Sequence, residues 1–153
     1  MALPLPKIPI LEAPDMATID AETEGRQRLL LVDPYGTSRE GLGAALRGGG
    51  FAVETAEGSS EAIRKIHDGA FDLAIIDLDL PAAPGVAEDG WELVSLLRVA
   101  GPTLPLILIA AECHPDTQAE AVRFGAAHLL EKPINPRELR TIVRALRPET
   151  APA

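Results

Sequence analysis

Five short apolar runs punctuate the chain: Leu29 to Asp33, Phe51 to Thr55, Leu73 to Asp77, Leu106 to Ala110 and His128 to Glu131. Runs of this length suit strands buried on both faces, and the segments between them carry the three-to-four-residue spacing of helices that would cover such a sheet. Leu42, Ala45 and Leu46 predict helix one, with Thr37 and Glu40 spaced as a capping box. Ser59, ahead of Ala62, Ile63 and Ile66, opens helix two, and Leu93, Leu96, Leu97 and Ala100 keep the period of helix three. Pro115 begins helix four, which should stop at Gly125. Asn135, Pro136 and Glu138 start helix five, whose buried stripe is Leu139, Ile142, Val143 and Leu146. Five strand-helix pairs in alternation predict an α/β fold, (βα)5, built on a doubly wound parallel sheet.

The rest of the chain fits this pattern poorly. Residues 1–27 hold four prolines and five acids but no packing period, and read as a flexible tail; residues 148–153 read as a second, short tail. Residues 28–147 are therefore expected to form the folded domain, acting alone without an output module. Gly48 to Gly50 is a helix stop and turn. Pro81, Pro84, Gly85, Glu88 and Asp89 make the stretch from Leu80 to Gly90 a long loop, a kind that tends to be functional in compact domains.

Composition narrows the function classes. Hydrophobic residues make up 46% and charged residues 24%, which suits a globular protein, while 3% aromatics require an aliphatic core. A net charge of -9 argues against binding a phosphate backbone, which needs a surplus of lysine and arginine. Cys113 is the lone cysteine, so an intramolecular disulfide and a cysteine-based zinc site are both ruled out, and a cytoplasmic location is expected. No apolar run reaches the roughly 20 residues that span a bilayer, and Pro4, Pro6 and Pro9 break the stretch a signal peptide would need.

Sites in open α/β sheets form beyond the carboxyl ends of the strands, where strand order reverses. The polar residues there are Asp33 after strand one, Asp77 and Asp79 after strand three, Glu112 beyond strand four and Lys132 after strand five. Two carboxylates at neighbouring strand ends suit a hard divalent cation such as Mg²⁺, and a lysine across from them suits a phosphoryl group. The side chain of Asp79 itself reads as a solvated loop acid.

Leu-Leu-Leu-Val-Asp-Pro at strand one, Phe-Asp-Leu-Ala-Ile-Ile-Asp-Leu-Asp-Leu-Pro at strand three, Asp-Gly-Trp-Glu-Leu at helix three and Phe-Gly-Ala-Ala-His-Leu-Leu-Glu-Lys-Pro at strand five stand in one chain. Together they resemble the response-regulator receiver domains of two-component signalling, from Arg28 to about Arg147. The resemblance implies a flavodoxin-like fold with strand order 2-1-3-4-5. It further implies Asp77 as phosphoacceptor, Asp33 and the backbone carbonyl of Asp79 at a Mg²⁺ site, Lys132 on the phosphoryl group, and a cis Lys132–Pro133 bond. Implied partners are a histidine kinase or phosphotransfer protein and a downstream protein target, with helix four, strand five and helix five as a candidate homodimer face. Neither nucleic acid nor membrane is expected as a partner.

Several positions depart from the family pattern. Pro34 stands where a second acid usually ligates the metal, so Mg²⁺ binding should be weak. Ala110 replaces the strand-four hydroxyl that meets the phosphoryl group, Leu129 replaces the strand-five aromatic switch, and the loop from Pro81 to Gly90 is longer. A phosphorylation-independent pseudo-receiver is thus one alternative. A haloacid-dehalogenase-like phosphatase using Asp77 and Asp79 is another, although such enzymes need further acids downstream and beyond residue 90 the only Asp is Asp116, at a helix start. Arg137, Arg140, Arg144 and Arg147 form a row on helix five, read as a solvated face or a dock for an acidic partner. Trp91 is expected to pack helix three. His67, His114 and His128 share no metal-binding spacing.

Overall fold

The computed structural model describes residues 25–80 and 90–146; most of the expected tails, Arg147, and the loop acids Glu88 and Asp89 lie outside the described residues. The chain runs through β1 (Arg28–Val32), α1 (Gly36–Gly48), β2 (Ala52–Ala56), α2 (Ser59–Asp68), β3 (Leu73–Asp77), α3 (Gly90–Ala100), β4 (Leu106–Ala110), α4 (Pro115–Arg123), β5 (His128–Glu131) and α5 (Pro136–Ala145). All strand pairs are parallel, in the order β2-β1-β3-β4-β5. This is the doubly wound sheet that the alternation predicts, in the flavodoxin-like order that the resemblance implies.

Strand periodicity divides the core in two. Leu29, Leu31, Leu73, Ile75, Ile107 and Ile109 pack with Leu42 and Leu46 of α1 and Leu139 and Val143 of α5. Their neighbours Leu30, Val32, Ala74, Ile76, Leu106 and Leu108 pack with Ala62, Leu93, Val94, Leu97 and Ala121 from α2, α3 and α4. Because successive side chains point to opposite faces, one continuous apolar run feeds both layers. Each buried Leu, Ile or Val contributes about 1.5–3 kcal/mol of transfer free energy. Trp91 of α3 stacks on Phe124 with ring centroids 5.7 Å apart, and Phe51 is buried in the layer of α1 and α5.

The starts of α4 and α5 and the stop after α4 obey the turn chemistry of the sequence, and one expected side-chain cap fails to form. Asn135 Oδ1 accepts hydrogen bonds from the Arg137 and Glu138 amides and Pro136 is the first residue of α5, as expected. Pro115 opens α4 and Gly125 follows it at φ +72, a left-handed turn that glycine adopts without steric cost. The Arg98 guanidinium then donates to the carbonyls of Phe124, Gly125 and Leu104, tying that turn to the end of α3 and steering β5 onto β4. The exception is α1. No capping box forms at Thr37 and Glu40; the helix starts at Gly36 after Tyr35, without a side-chain cap hydrogen bond at the N-cap.

Three further expectations shift. β1 and β2 each sit one residue away from the predicted runs, because Pro34 turns the chain directly after Asp33 and because the Gln27 carbonyl, assigned to the tail, already accepts from the Ala52 amide. On α3 the buried set is Leu93, Val94 and Leu97, and Leu96 is left exposed. The arginine row of α5 is not wholly solvated: Arg144 donates to the Gly49 carbonyl at the end of α1, and a Cβ added at Gly49 would run into the Arg140 side chain.

Candidate functional site

β1 and β3 are the adjacent central strands from which the chain leaves in opposite directions, so the crevice beyond their carboxyl ends is the topological switch point. Their register pairs Val32 with Ile76. Asp33 and Asp77 are the next residues of each chain, and both continue the set that faces α1 and α5. This geometry alone brings two carboxylates together, and both are almost sealed from solvent, at 3% and 2% exposure.

Asp33 is fully engaged by its own turn. Its Oδ1 accepts from the Tyr35 amide at 2.9 Å, its Oδ2 accepts from the Ser38 hydroxyl at 2.6 Å, and its carbonyl accepts from Arg39 Nη1 at 2.9 Å. A carboxylate bridging from a strand end to the first turn of the following helix satisfies donors that a capping box would otherwise hold. Thr37 and Glu40 do not cap because the helix already begins at Gly36, with the Arg39 amide on the Tyr35 carbonyl, which leaves Thr37 inside the first turn, while the charge of Asp33 suits the positive helix end.

Asp77 lies at the centre of the constellation. Its Oδ1 accepts from the Asp79 amide at 2.8 Å, and the Lys132 ammonium lies 2.8 Å from its Oδ2. Lys132 arrives from the end of β5, beyond β4, with its backbone amide on the Ala110 carbonyl and a cis bond to Pro133, as expected. Its ammonium also lies 3.1 Å from Asp79 Oδ2 and 4.8 Å from the centre of the Tyr35 ring. Burial pushes the Asp77 pKa above the ordinary carboxylate value; Lys132 and the Asp79 amide pull it down, and the charge of Asp79 adds to the rise. Burial also works against the Lys132 ammonium, but its bonds to Asp77 and Asp79 outweigh that and leave its pKa above the ordinary lysine value.

The side chain of Asp79 is not a solvated loop acid. Its Oδ2 accepts from the Ala111 amide at 2.9 Å as well as from Lys132. The sequence offered no spacing rule for this, because the contact crosses from β3 to the loop after β4. Ser38, Tyr35 and Arg39 are further residues that sequence reasoning missed. The Asp-Pro step hinted at a turn there but not at its partners. Gly90 is a fourth: a Cβ there would lie 2.5 Å from Leu78 Cα and 2.7 Å from the Leu78 carbonyl oxygen, so only glycine lets α3 start against the Asp77-Leu78-Asp79 segment.

Other candidates stand apart from this centre. Glu112 is exposed and pairs with His114 at 2.9 Å. Burial, together with the Glu131 and Asp79 carboxylates, pushes the Cys113 thiol up and away from the reactive thiolate form. Ala110 is buried at the end of β4 and offers only a methyl group beside the site, and Leu129 packs into the core. A cleft of about 430 Å³ opens next to Asp77, lined by Asp33, Ser38, Leu42, Ile109, Lys132 and Ile134 among others.

The residues present match a Mg²⁺ site poorly. Hard-oxygen donors are available from Asp33, Asp77 and the Asp79 carbonyl, but every carboxylate oxygen of Asp33 and Asp77 already has a protein partner, and Pro34 supplies none. Among the described residues no group of three or more His, Cys, Asp and Glu side chains is placed to hold a metal ion.

Comparison with known proteins bears on the family and the fold. The sequence profile of the response regulator receiver domain matches residues 29–144. The alginate biosynthesis transcriptional regulatory protein AlgB of Pseudomonas syringae is 30% identical over 122 residues, which is 80% of this chain and 26% of AlgB. The transcriptional regulatory protein TctD of Salmonella typhimurium is 33% identical over 119 residues, 78% of this chain and 51% of TctD. The chain thus spans between a quarter and a half of the length of these relatives. Among solved structures, the chemotaxis protein CheY4 of Vibrio cholerae superposes with a TM-score of 0.73 at 27% identity, covering 80% of this chain and all of that one. The non-phosphorylated HemR receiver domain of Leptospira biflexa gives a TM-score of 0.73 at 26% identity, over 84% and 99% of the two chains.

Proposed function

The chain belongs to the response regulator receiver domain family, and on that footing we propose that it is a signalling module whose Asp77 carboxylate takes up a phosphoryl group. The observation that carries this reading is the Lys132 ammonium 2.8 Å from the Oδ2 of a carboxylate that is 2% exposed, at the switch point of the sheet. In the transfer, an Asp77 oxygen forms a bond to phosphorus while the P–N bond of a phosphohistidine donor breaks and the imidazole leaves. Lys132 neutralises charge on the transferred group throughout. Receiver domains generally bind Mg²⁺ for this reaction, and here Asp33, Asp77 and the Asp79 carbonyl are the donors it would meet. The poor match of this set makes slow phosphorylation the expectation.

Output is read as contact with a downstream protein. A phosphoryl group reshapes a distant face only if it bonds differently in two states, and Ala110 has no hydroxyl to form such a bond. The face of α4, β5 and α5 is therefore expected to bind its partner with little dependence on phosphate. A second reading, a pseudo-receiver that is never phosphorylated, is favoured by one observation: both Asp77 oxygens are already bonded within the protein. The phosphatase alternative has less support, because Asp79 is engaged by the Ala111 amide and Lys132 in the resting state.

Incubation with acetyl phosphate and Mg²⁺ followed by intact mass measurement tests the proposal. A phosphoryl adduct on the wild-type protein, absent from Asp77→Asn, is expected. No adduct under conditions that label an ordinary receiver selects the pseudo-receiver reading.

A further inference from the structure

Around Asp77 the described residues provide two donors positioned to receive a new oxyanion. One is the Lys132 ammonium on Asp77 Oδ2; the other is the Ala111 amide, one residue beyond the end of β4. Both converge on the same atom, Asp79 Oδ2, at 3.1 and 2.9 Å. The Asp79 backbone amide is likewise committed, to Asp77 Oδ1 at 2.8 Å. A hydroxyl at the end of β4 could have offered a third donor, but Ala110 stands there.

An ammonium and a backbone amide aimed at one point form an anion seat, and charge-assisted bonds of this kind are about twice as strong as neutral ones. Here the seat is filled from within. A phosphoryl oxygen on Asp77 would need the same ammonium while facing the negative charge of Asp79, and like charges at such spacing are repulsive. Asp79 has a way out: its side chain is 36% exposed, against 3% for Asp77.

We propose that the Asp79 carboxylate is a resident anion in the seat a phosphoryl oxygen requires, so that loading Asp77 demands the displacement of Asp79. This rests on Asp77 as the phosphoacceptor and adds a gate to it. Asp79 is a positioning residue in this account. It holds Lys132 and the Ala111 amide in an arrangement like that around a bound oxyanion while phosphate is absent.

The test uses the full chain, ¹⁵N-labelled, as wild type, Asp79→Ala and Asp79→Asn, titrated with beryllofluoride at one fixed Mg²⁺ concentration and followed at the Ala111 amide. Loss of the carboxylate acceptor moves the Ala111 amide proton upfield in Asp79→Ala before any mimic is added. Half-saturation by beryllofluoride is expected at about one tenth of the wild-type concentration in Asp79→Ala, the size of one competing charge-assisted hydrogen bond. Asp79→Asn, which keeps an acceptor oxygen but not the charge, falls between, and carries the comparison if Asp79→Ala does not fold. Equal half-saturation in all proteins, an unmoved Ala111 amide in the alanine variant, or no mimic binding by any of them overturns the proposal. Tighter mimic binding by the variants without any acetyl phosphate adduct on Asp77 rejects the phosphoacceptor reading, and with it the gate on loading, while leaving Asp79 as the occupant of the anion seat.

Discussion

Replacing Asp33 separates two roles that the resemblance and the geometry assign to it, metal ligand and turn anchor. In Asp33→Ala the Tyr35 amide and the Ser38 hydroxyl lose acceptors at 2.9 and 2.6 Å, supplied by a buried carboxylate to two residues that are themselves exposed. Hydrogen bonds to a charged group contribute about 1.5–3 kcal/mol each, while removing a buried carboxylate recovers part of its desolvation cost. A net destabilisation of about 2–4 kcal/mol follows, large against a total of about 5–15 kcal/mol for a domain. Asp33→Asn keeps Oδ1 for the Tyr35 amide and can donate its Nδ2 to the Ser38 oxygen, so a cost below about 1 kcal/mol is expected. Urea denaturation without added metal reads both: with a slope of about 1–3 kcal/mol per molar, the alanine variant should lose about 1–2 M of midpoint and the asparagine variant well under 1 M. Equal losses in the two variants would show that the charge, not the turn, needs Asp33; a negligible loss in Asp33→Ala would refute the anchoring argument.

Three other outcomes follow from the same site. Pro34→Asp restores a carboxylate beside Asp33 and should tighten Mg²⁺ at least about tenfold by calorimetric titration, from weak binding in the wild type. Because burial raises the Asp77 pKa, the native state keeps this proton to higher pH than the unfolded chain, so the Asp77 contribution to stability is most favourable below the unfolded carboxylate pKa near about 4 and declines as pH rises through the folded value. Asp77→Asn should remove that decline, and its stability advantage over wild type should grow from pH 4 to neutrality in urea melts; a constant difference would contradict it. Backbone amide shifts across α4, β5 and α5 should change little when beryllofluoride binds, because Ala110 cannot report the phosphoryl group, whereas large remote shifts would place the protein among ordinary phosphorylation-driven switches.

The alternation of strands and helices was legible in the sequence from apolar runs and helical spacing, the strand-end polar residues Asp33, Asp77 and Lys132 from where those runs stop, and the sheet order from the resemblance carried by the motifs. The failures have local causes. Thr37 and Glu40 satisfied a capping template, yet the helix begins at Gly36, ahead of Thr37, and a template fixes no starting residue. Leu96 matched the helical period of α3, but the buried stripe centred on Leu93, Val94 and Leu97 turned it to the surface. Asp79 was misread because its partners, Ala111 and Lys132, come from loops after two other strands. Contacts between loop side chains depend on the depth and angle of each strand end, which no periodicity encodes.

The claim that Asp77 is the phosphoacceptor is tested most directly by locating the phosphoryl group at residue level. Borohydride reduces an aspartyl phosphate to homoserine with release of phosphate, so treatment after acetyl phosphate loading, followed by peptide mass mapping, marks the acceptor position. The account predicts homoserine at residue 77 alone, in a small fraction of wild-type molecules and a larger fraction of Asp79→Ala. Homoserine at residue 33 or 79, or at none of the three in either protein, would contradict it.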